Sequence, residues 1–405
     1  MLLYQKKVFG VFVFLFVFLC GCSLPRNPVP VSDISRAQIS GFEDIRDWGG
    51  EHSEIFQRDI VESMRQEKEG EFPRNPDGSL NYHALALSGG GENGAFGAGF
   101  LCGWTKSGNR PNFKLVTGIS TGSLMAPIVF LGPEYDAQLK EAYTTANIKT
   151  VYKERNILSL LWSDSFADTA PLHHSIVSQI TPEVLEAIAV KHSQGYRLYI
   201  GTTDMDAGRL MVWNMGVIAG SGHPDARELF GDILLASASI PGAFPPMFFD
   251  VEVDGVHYDE MHSDGNTTTN VFFHGFMLDL AAARREVFGA DAPATASSLY
   301  IMRDGRLAAT EKQVKRRLPN IIGRALSLVT TAQARGDLYR IYAITQKEGI
   351  DFNYVDIPDD YVPVSTKAFD TVEMNNLFEM GFKLAGSKDS WHKIPPGLGL
   401  IEAAK

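Results

Sequence analysis

Past residue 80 the chain alternates between short apolar runs and longer blocks of helical period. Tyr82–Leu87 is a compact apolar run that leads into three glycines, Gly89, Gly90 and Gly91. Apolar runs of about four to eight residues bounded by turn chemistry are the mark of buried strands. The same pattern predicts strands at Lys114–Thr117, Arg197–Thr202, Leu210–Trp213, Ser298–Met302 and Phe352–Ile357. Ala95–Trp104 and Ser123–Leu131 are small and apolar throughout, which suits buried helices. Arg227–Ser237, the stretch around 311–349 and Glu373–Ala385 also read as helices. Strand–helix–strand repeats at this spacing predict an α/β fold with a central, mostly parallel sheet covered by helices.

Upstream, Phe72-Pro73-Arg74-Asn75-Pro76-Asp77-Gly78 is dense turn punctuation and marks a domain start. Residues 51–69 are polar around Ile55, Ile60, Val61 and Met64, which predicts a surface helix. Residues 23–50, with Pro25, Pro28 and Pro30 near their start, read as a semi-extended tether.

Composition narrows the class. The 405 residues are 44% hydrophobic and 21% charged, ordinary for a globular chain. A net charge of -11 argues against general binding to nucleic-acid phosphates, which needs a basic footprint. Three cysteines without a CxxC pair build neither a disulfide framework nor a thiolate zinc site. His173-His174 reads as a helix face, and no His/Asp/Glu cluster has metal spacing, so neither a metal nor another cofactor is expected.

The leader sets the compartment. Lys6 and Lys7 precede an apolar run from Val8 to Leu19, too short to span a bilayer comfortably. Leu19-Cys20-Gly21-Cys22 follows and resembles the lipobox of bacterial lipoproteins. That resemblance implies a leader over 1–21, a lipid on Cys22 and attachment to a bacterial membrane. An ordinary secretory signal is the alternative. Ser23 stands where an Asp would retain such lipoproteins in the inner membrane, which points to the outer one.

Two glycine motifs carry the chemistry. Gly89-x-Gly91-x-x-Gly94 follows a strand and opens a helix, where glycines admit close approach and free N–H groups face an anion. The dinucleotide reading of that spacing needs an acid closing the next strand. Lys114–Thr117 lacks one and runs instead into Gly118-x-Ser120-x-Gly122, the pattern of a nucleophile elbow. Adjacent parallel strands bring both turns to one sheet edge. A base for Ser120 is open between a histidine (His257, His262, His274 or His392) and a carboxylate in the segment that follows Ser237.

Ser237-x-Ser239-Ile240-Pro241 continues to Phe244-Pro245-Pro246, and Asp264-Gly265 comes after it. With the glycine loop and the elbow, this ordered set resembles the patatin-like phospholipases over roughly 82–275. The resemblance implies a three-layer α/β/α fold and a lipid acyl-ester hydrolase working through a Ser-Asp dyad. Ser120 is then the nucleophile, Asp264 the base, and Gly89, Gly90 and Gly91 the oxyanion hole. With the lipobox and the turn cluster, the chain is expected to divide into a leader over 1–21, a tether and helix over 22–75, and a hydrolase domain over 76–405, whose last part, 276–405, is an α/β extension.

Two positions depart from the family. Asn93 stands where Arg or Lys is frequent, and Asn266 where Gly or Ala is usual. Asp254-Gly255 is a rival Asp-Gly pair, but its alternating surroundings read as a hairpin tip. The competing functions are a Ser-His-Asp esterase, a catalytically silent surface lipoprotein that binds a partner, and a nucleotide-binding protein.

Overall fold

The computed structural model describes residues 24–398 apart from 69, 73–74, 76–78, 157–161, 274–276, 290–294, 309–310 and 388. The leader, Cys22, most of the turn at 73–78 and His274 lie outside the described residues. In chain order the strands are β1 Gln38–Ile39, β2 Arg46–Trp48, β3 Leu80–Leu87, β4 Leu115–Ile119, β5 Lys153–Glu154 and β6 Ala167–Asp168, then β7 Arg197–Asp204, β8 Arg209–Asn214, β9 Met247–Val253, β10 Val256–Asp264, β11 Thr295–Arg303 and β12 Asp351–Asp356. The helices that bear on the site are α1 Glu54–Arg65, α2 Gly94–Lys106, α3 Thr121–Leu131, α4 Ala226–Ser237, α5 Leu318–Glu348 and α6 Thr371–Leu384.

One sheet runs β1-β9-β10-β7-β4-β3-β11-β12, with β8 against β7 and β2 against β8. Its centre, β7-β4-β3-β11-β12, is parallel. The antiparallel pairs are confined to the flank beyond β7. Side chains alternate across the sheet, as strand geometry requires. Leu85, Leu87, Val116, Leu198 and Ile200 enter one core with α2, α3, α4 and α6. Ala86, Ile119, Tyr199, Leu299 and Ile301 enter the other with α1 and α5. The result is a three-layer α/β/α fold.

Residues 24–50 differ from the expected tether. β1 pairs with β9 through Gln38 and Glu252, and β2 with β8 through Arg46 and Trp213. Arg26 reaches Asp206 and Asp259 at 2.7 Å each. Arg46 Nη1 meets buried Glu260 Oε2 at 2.5 Å. Strands of two and three residues show no period, and the Arg46–Glu260 pair spans 214 positions. Local composition reported the stiffness of this segment and nothing of its partners.

Candidate active site

β4 ends at Ile119 and α3 begins at Thr121, so Ser120 alone turns the chain. It does so at φ 54°, ψ −126°, a sparsely populated backbone state for a residue with a Cβ. Gly118 and Gly122 make the turn possible. A Cβ on Gly118 would come within 2.6 Å of Gly122 O, and one on Gly122 within 2.5 Å of Leu87 O. The surroundings hold the turn in place. Ser120 N–H donates to Ser237 Oγ at 3.0 Å, and Ser237 Oγ donates to Gly201 O at 2.7 Å. Tyr143 OH donates to Thr121 O at 2.8 Å.

Strand pairing brings Asp264 to this turn. β8 occupies one edge of β7 along Tyr199–Asp204. The other edge is shared end to end by β4, where Ile119 faces Gly201, and β10, where Asp264 faces Thr202. The residue after Ile119 therefore meets the last residue of β10: Ser120 Oγ donates to Asp264 Oδ2 at 2.7 Å. Asp264 Oδ1 accepts from Asn266 N–H at 2.8 Å, and Asp264 N–H donates to Ser239 O at 2.8 Å. Gly265 is required by its surroundings, since a Cβ there would lie 2.6 Å from Gly201 O. Ser120 and Asp264 are both buried. Burial pushes the Asp264 carboxyl up to about 7, against the hydrogen bonds from Ser120 and Asn266 that lower it. Such a group is poised to take and return a proton near neutrality.

The glycine loop faces the same point. Gly89 sits against Ser120, whose Cβ is 3.2 Å from where a Gly89 Cβ would be. Its N–H donates to Asn270 O at 3.0 Å. The N–H groups of Gly90 and Gly91 meet no acceptor among the described residues. Gly91 has φ 59°, a left-handed state that glycine adopts freely. A Cβ on Gly94 would collide with the Thr121 side chain, so α2 and α3 begin in close contact.

The sequence pattern missed what holds the loop. Arg303 and Asp304, buried where β11 ends, lie behind it. Arg303 Nη1 donates to Gly89 O at 2.7 Å, and Asp304 N–H donates to Ser88 Oγ at 2.9 Å. Asp304 Oδ1 accepts from Gly97 N–H at 3.0 Å. Burial pushes the Asp304 carboxyl up to about 8 and holds the Arg303 guanidinium below its ordinary value. The available signal was a charged pair closing an apolar strand just before Gly305.

A cavity of about 570 Å³ opens from Gly91, Ser120 and Thr121 between Leu124, Ile128, Leu172, Ile176, Leu234 and Phe244. Its size falls in the range of small-molecule sites. The other candidates lie elsewhere. Asp254, at φ 52° beside Gly255, is the tip of the β9–β10 hairpin and pairs with Arg36. His257 faces Asp250, and His392 pairs through its backbone with Tyr354. His173 bonds Asp232 at 3.1 Å. His262 Nδ1 contacts Thr202 Oγ1 at 2.8 Å. Its other nitrogen belongs to a buried cluster with Asp204 and Glu260, one ligand-type atom from each within 4.8 Å of the others. Arg46 supplies the positive charge beside that cluster.

Residues 85–277 match the family model described as patatin-like phospholipase. They form a patatin-like phospholipase domain. The protein is accordingly a lipid acyl hydrolase, and the patatin-like domain contains both Ser120 and Asp264 while leaving Arg303 and Asp304 beyond its matched end. No match was found among curated proteins. Two solved structures share 12% identity with the chain. VipD from Legionella pneumophila covers 78% of it at a TM-score of 0.37, with 69% of VipD covered in return. The type III effector protein ExoU covers 82% at a TM-score of 0.27, and the chain spans 60% of its length.

Proposed function

We propose that Ser120 and Asp264 act as a catalytic dyad on lipid acyl esters, with the N–H groups of Gly90 and Gly91 as oxyanion donors. The observation that carries this reading is the 2.7 Å hydrogen bond from Ser120 Oγ to Asp264 Oδ2 at the mouth of the apolar cavity. Asp264 takes the Ser120 proton as Oγ bonds to the ester carbonyl carbon. The carbonyl electron pair moves to oxygen, facing the two glycine N–H groups. When the ester C–O bond breaks, the leaving alcohol takes the proton back from Asp264. Water then repeats the sequence on the acyl-serine and releases the fatty acid. Gly89 is left to shape the loop, because its N–H is already held by Asn270. No described histidine bonds either dyad member, which favours the dyad over a Ser-His-Asp triad.

The proposal extends to the anchor: cleavage before Cys22 and lipidation of its thiol would hold the enzyme on a bacterial membrane, the outer one by the identity of Ser23. Turnover of a short-chain p-nitrophenyl ester and of phospholipid by the parent and by Ser120→Ala tests the catalytic part. Hydrolysis by the parent alone is expected. A folded parent that turns over neither substrate would leave a silent binding lipoprotein. Acyl labelling of the parent and of Cys22→Ala tests the anchor, and equal labelling of both would remove it.

A further inference from the structure

α5 is 31 residues long, but only its second half belongs to the core. Ala334, Leu338 and Ile341 are buried, whereas Leu318, Ile321, Ile322, Leu326, Leu328 and Val329 are all exposed, Leu318 to 70% and Val329 to 64%. Two contacts fix where the helix passes the sheet edge. Arg335 Nε donates to Leu307 O at 2.6 Å, and Asn270 N–H donates to Asp337 Oδ2 at 2.7 Å. Asn270 O in turn accepts from Gly89, so residues 335–337 stand level with the glycine loop. From there α5 descends beside the sheet to β12. At a 1.5 Å rise, the sixteen residues before Ala334 continue about 24 Å past the loop on the active-site side.

An apolar helix of that length has no covering surface among the described residues and is marginal in water without one. Charge indicates what covers it. Between 312 and 336 there is no Asp or Glu, while Lys312, Lys315, Arg316, Arg317, Arg324 and Arg335 are all basic, in a chain of net charge -11. Lys312, Lys315, Arg316 and Arg317 are exposed. Pairing two copies through this helix would leave its basic side chains without acidic partners, since neither copy has an acid in this stretch. A membrane surface accepts both features: apolar side chains enter the acyl boundary while Lys and Arg meet anionic headgroups.

We propose that the first half of α5 docks the active-site edge onto a lipid surface bearing anionic headgroups, an inference that rests on the lipid hydrolase reading above. The test uses the full chain with vesicles of phosphatidylcholine alone or mixed with phosphatidylglycerol. Hydrogen exchange at 318–329 should slow with the mixed vesicles and much less with the neutral ones. Ile322→Asp/Leu326→Asp/Val329→Asp should lower turnover of vesicle phospholipid about tenfold or more and leave soluble short-chain ester turnover within about twofold. Arg316→Glu/Arg317→Glu should lose the preference for anionic vesicles. Unchanged vesicle turnover in the triple variant overturns the docking role while ester turnover still upholds the hydrolase. Protection at 318–329 that appears without vesicles as protein concentration rises would make the occupant a second copy and equally overturn it. Loss of ester turnover by the parent would instead overturn the hydrolase reading itself.

Discussion

Asp304 fills the space that a side chain on Gly90 would need. A Cβ on Gly90 would overlap the Asp304 carbonyl oxygen and lie 2.5 Å from its Cβ. The loop that faces Ser120 is thus moulded on the end of β11, outside the residues that match the family.

Gly90 and its neighbour Gly91 should therefore respond differently to alanine. Gly90→Ala has to lift the loop off β11, so thermal stability and turnover are expected to fall together, with turnover down about 10²–10³ from lost oxyanion donors. At Gly91 nothing lies within 4 Å of the new Cβ. Gly91→Ala should cost about 1–2 kcal/mol for its left-handed backbone and keep most of the activity. Equal losses in unfolding and ester assays would show that contact with Asp304 does not hold the loop.

Asp304 also predicts how stability varies with pH. Its carboxyl, raised to about 8 from an ordinary 3.8, keeps a proton in the fold that the unfolded chain has released. The folded state binds more protons across that window, so stability falls as pH rises through it. Asp304→Asn retains an acceptor for Gly97 N–H and has no such proton to lose. Its melting temperature should drop less than the parent's between about pH 6 and about pH 9. Parallel curves for the two proteins would place the titrating group elsewhere.

Turnover should follow the ionisation of Asp264. With its carboxyl near 7, kcat/KM is expected to reach a plateau above that pH and to fall about tenfold per unit below it. Ser120→Ala, Asp264→Asn and the double variant should lose comparable activity, about a thousandfold or more, because members of one catalytic unit are not additive. His257 and His392 replacements should keep turnover. A His262 replacement should lose stability first, since its ring is buried against Trp213 and Phe249.

The buried Arg46–Glu260 pair makes the segment before residue 50 part of the fold. Arg46→Met takes from buried Glu260 its arginine partner, a change that typically costs about 3–5 kcal/mol. Denaturant unfolding should register that loss, while turnover per folded molecule remains near the parent's. An unchanged midpoint would return this segment to the status of a tether.

What was legible in the sequence was local. Gly118, Ser120 and Gly122 announce the elbow because one turn contains both the strain and the glycines that relieve it. Asp264-Gly265 could be tied to Ser120 only through family resemblance. Their meeting depends on β4 and β10 sharing one edge of β7, a pairing across 144 positions. Arg303 and Asp304 looked like ordinary strand-end charges, since their contacts with Gly89, Gly90 and Gly97 exist only once β11 lies beside β3. The same holds for β1 and β2, too short to carry a period and recognisable only by their partners. The exposure of Ile321, Ile322 and Leu326 was equally hidden: spacing identifies a helix but not how far it outruns the sheet.

The docked N-terminal segment bears on where the enzyme can work. Arg26 is fastened to Asp206 and Asp259, and Leu24, Pro25 and Arg26 share a cleft with Ser239 and Ser263, next to Asp264. A lipid on Cys22, as proposed, would leave a leash of only Ser23, Leu24 and Pro25, at most about 14 Å from Cys22 to Arg26 when fully stretched. An enzyme moored so closely has almost no radius of action. It would graze the leaflet that holds it, with its catalytic edge turned toward that leaflet, and a facing membrane would lie out of reach.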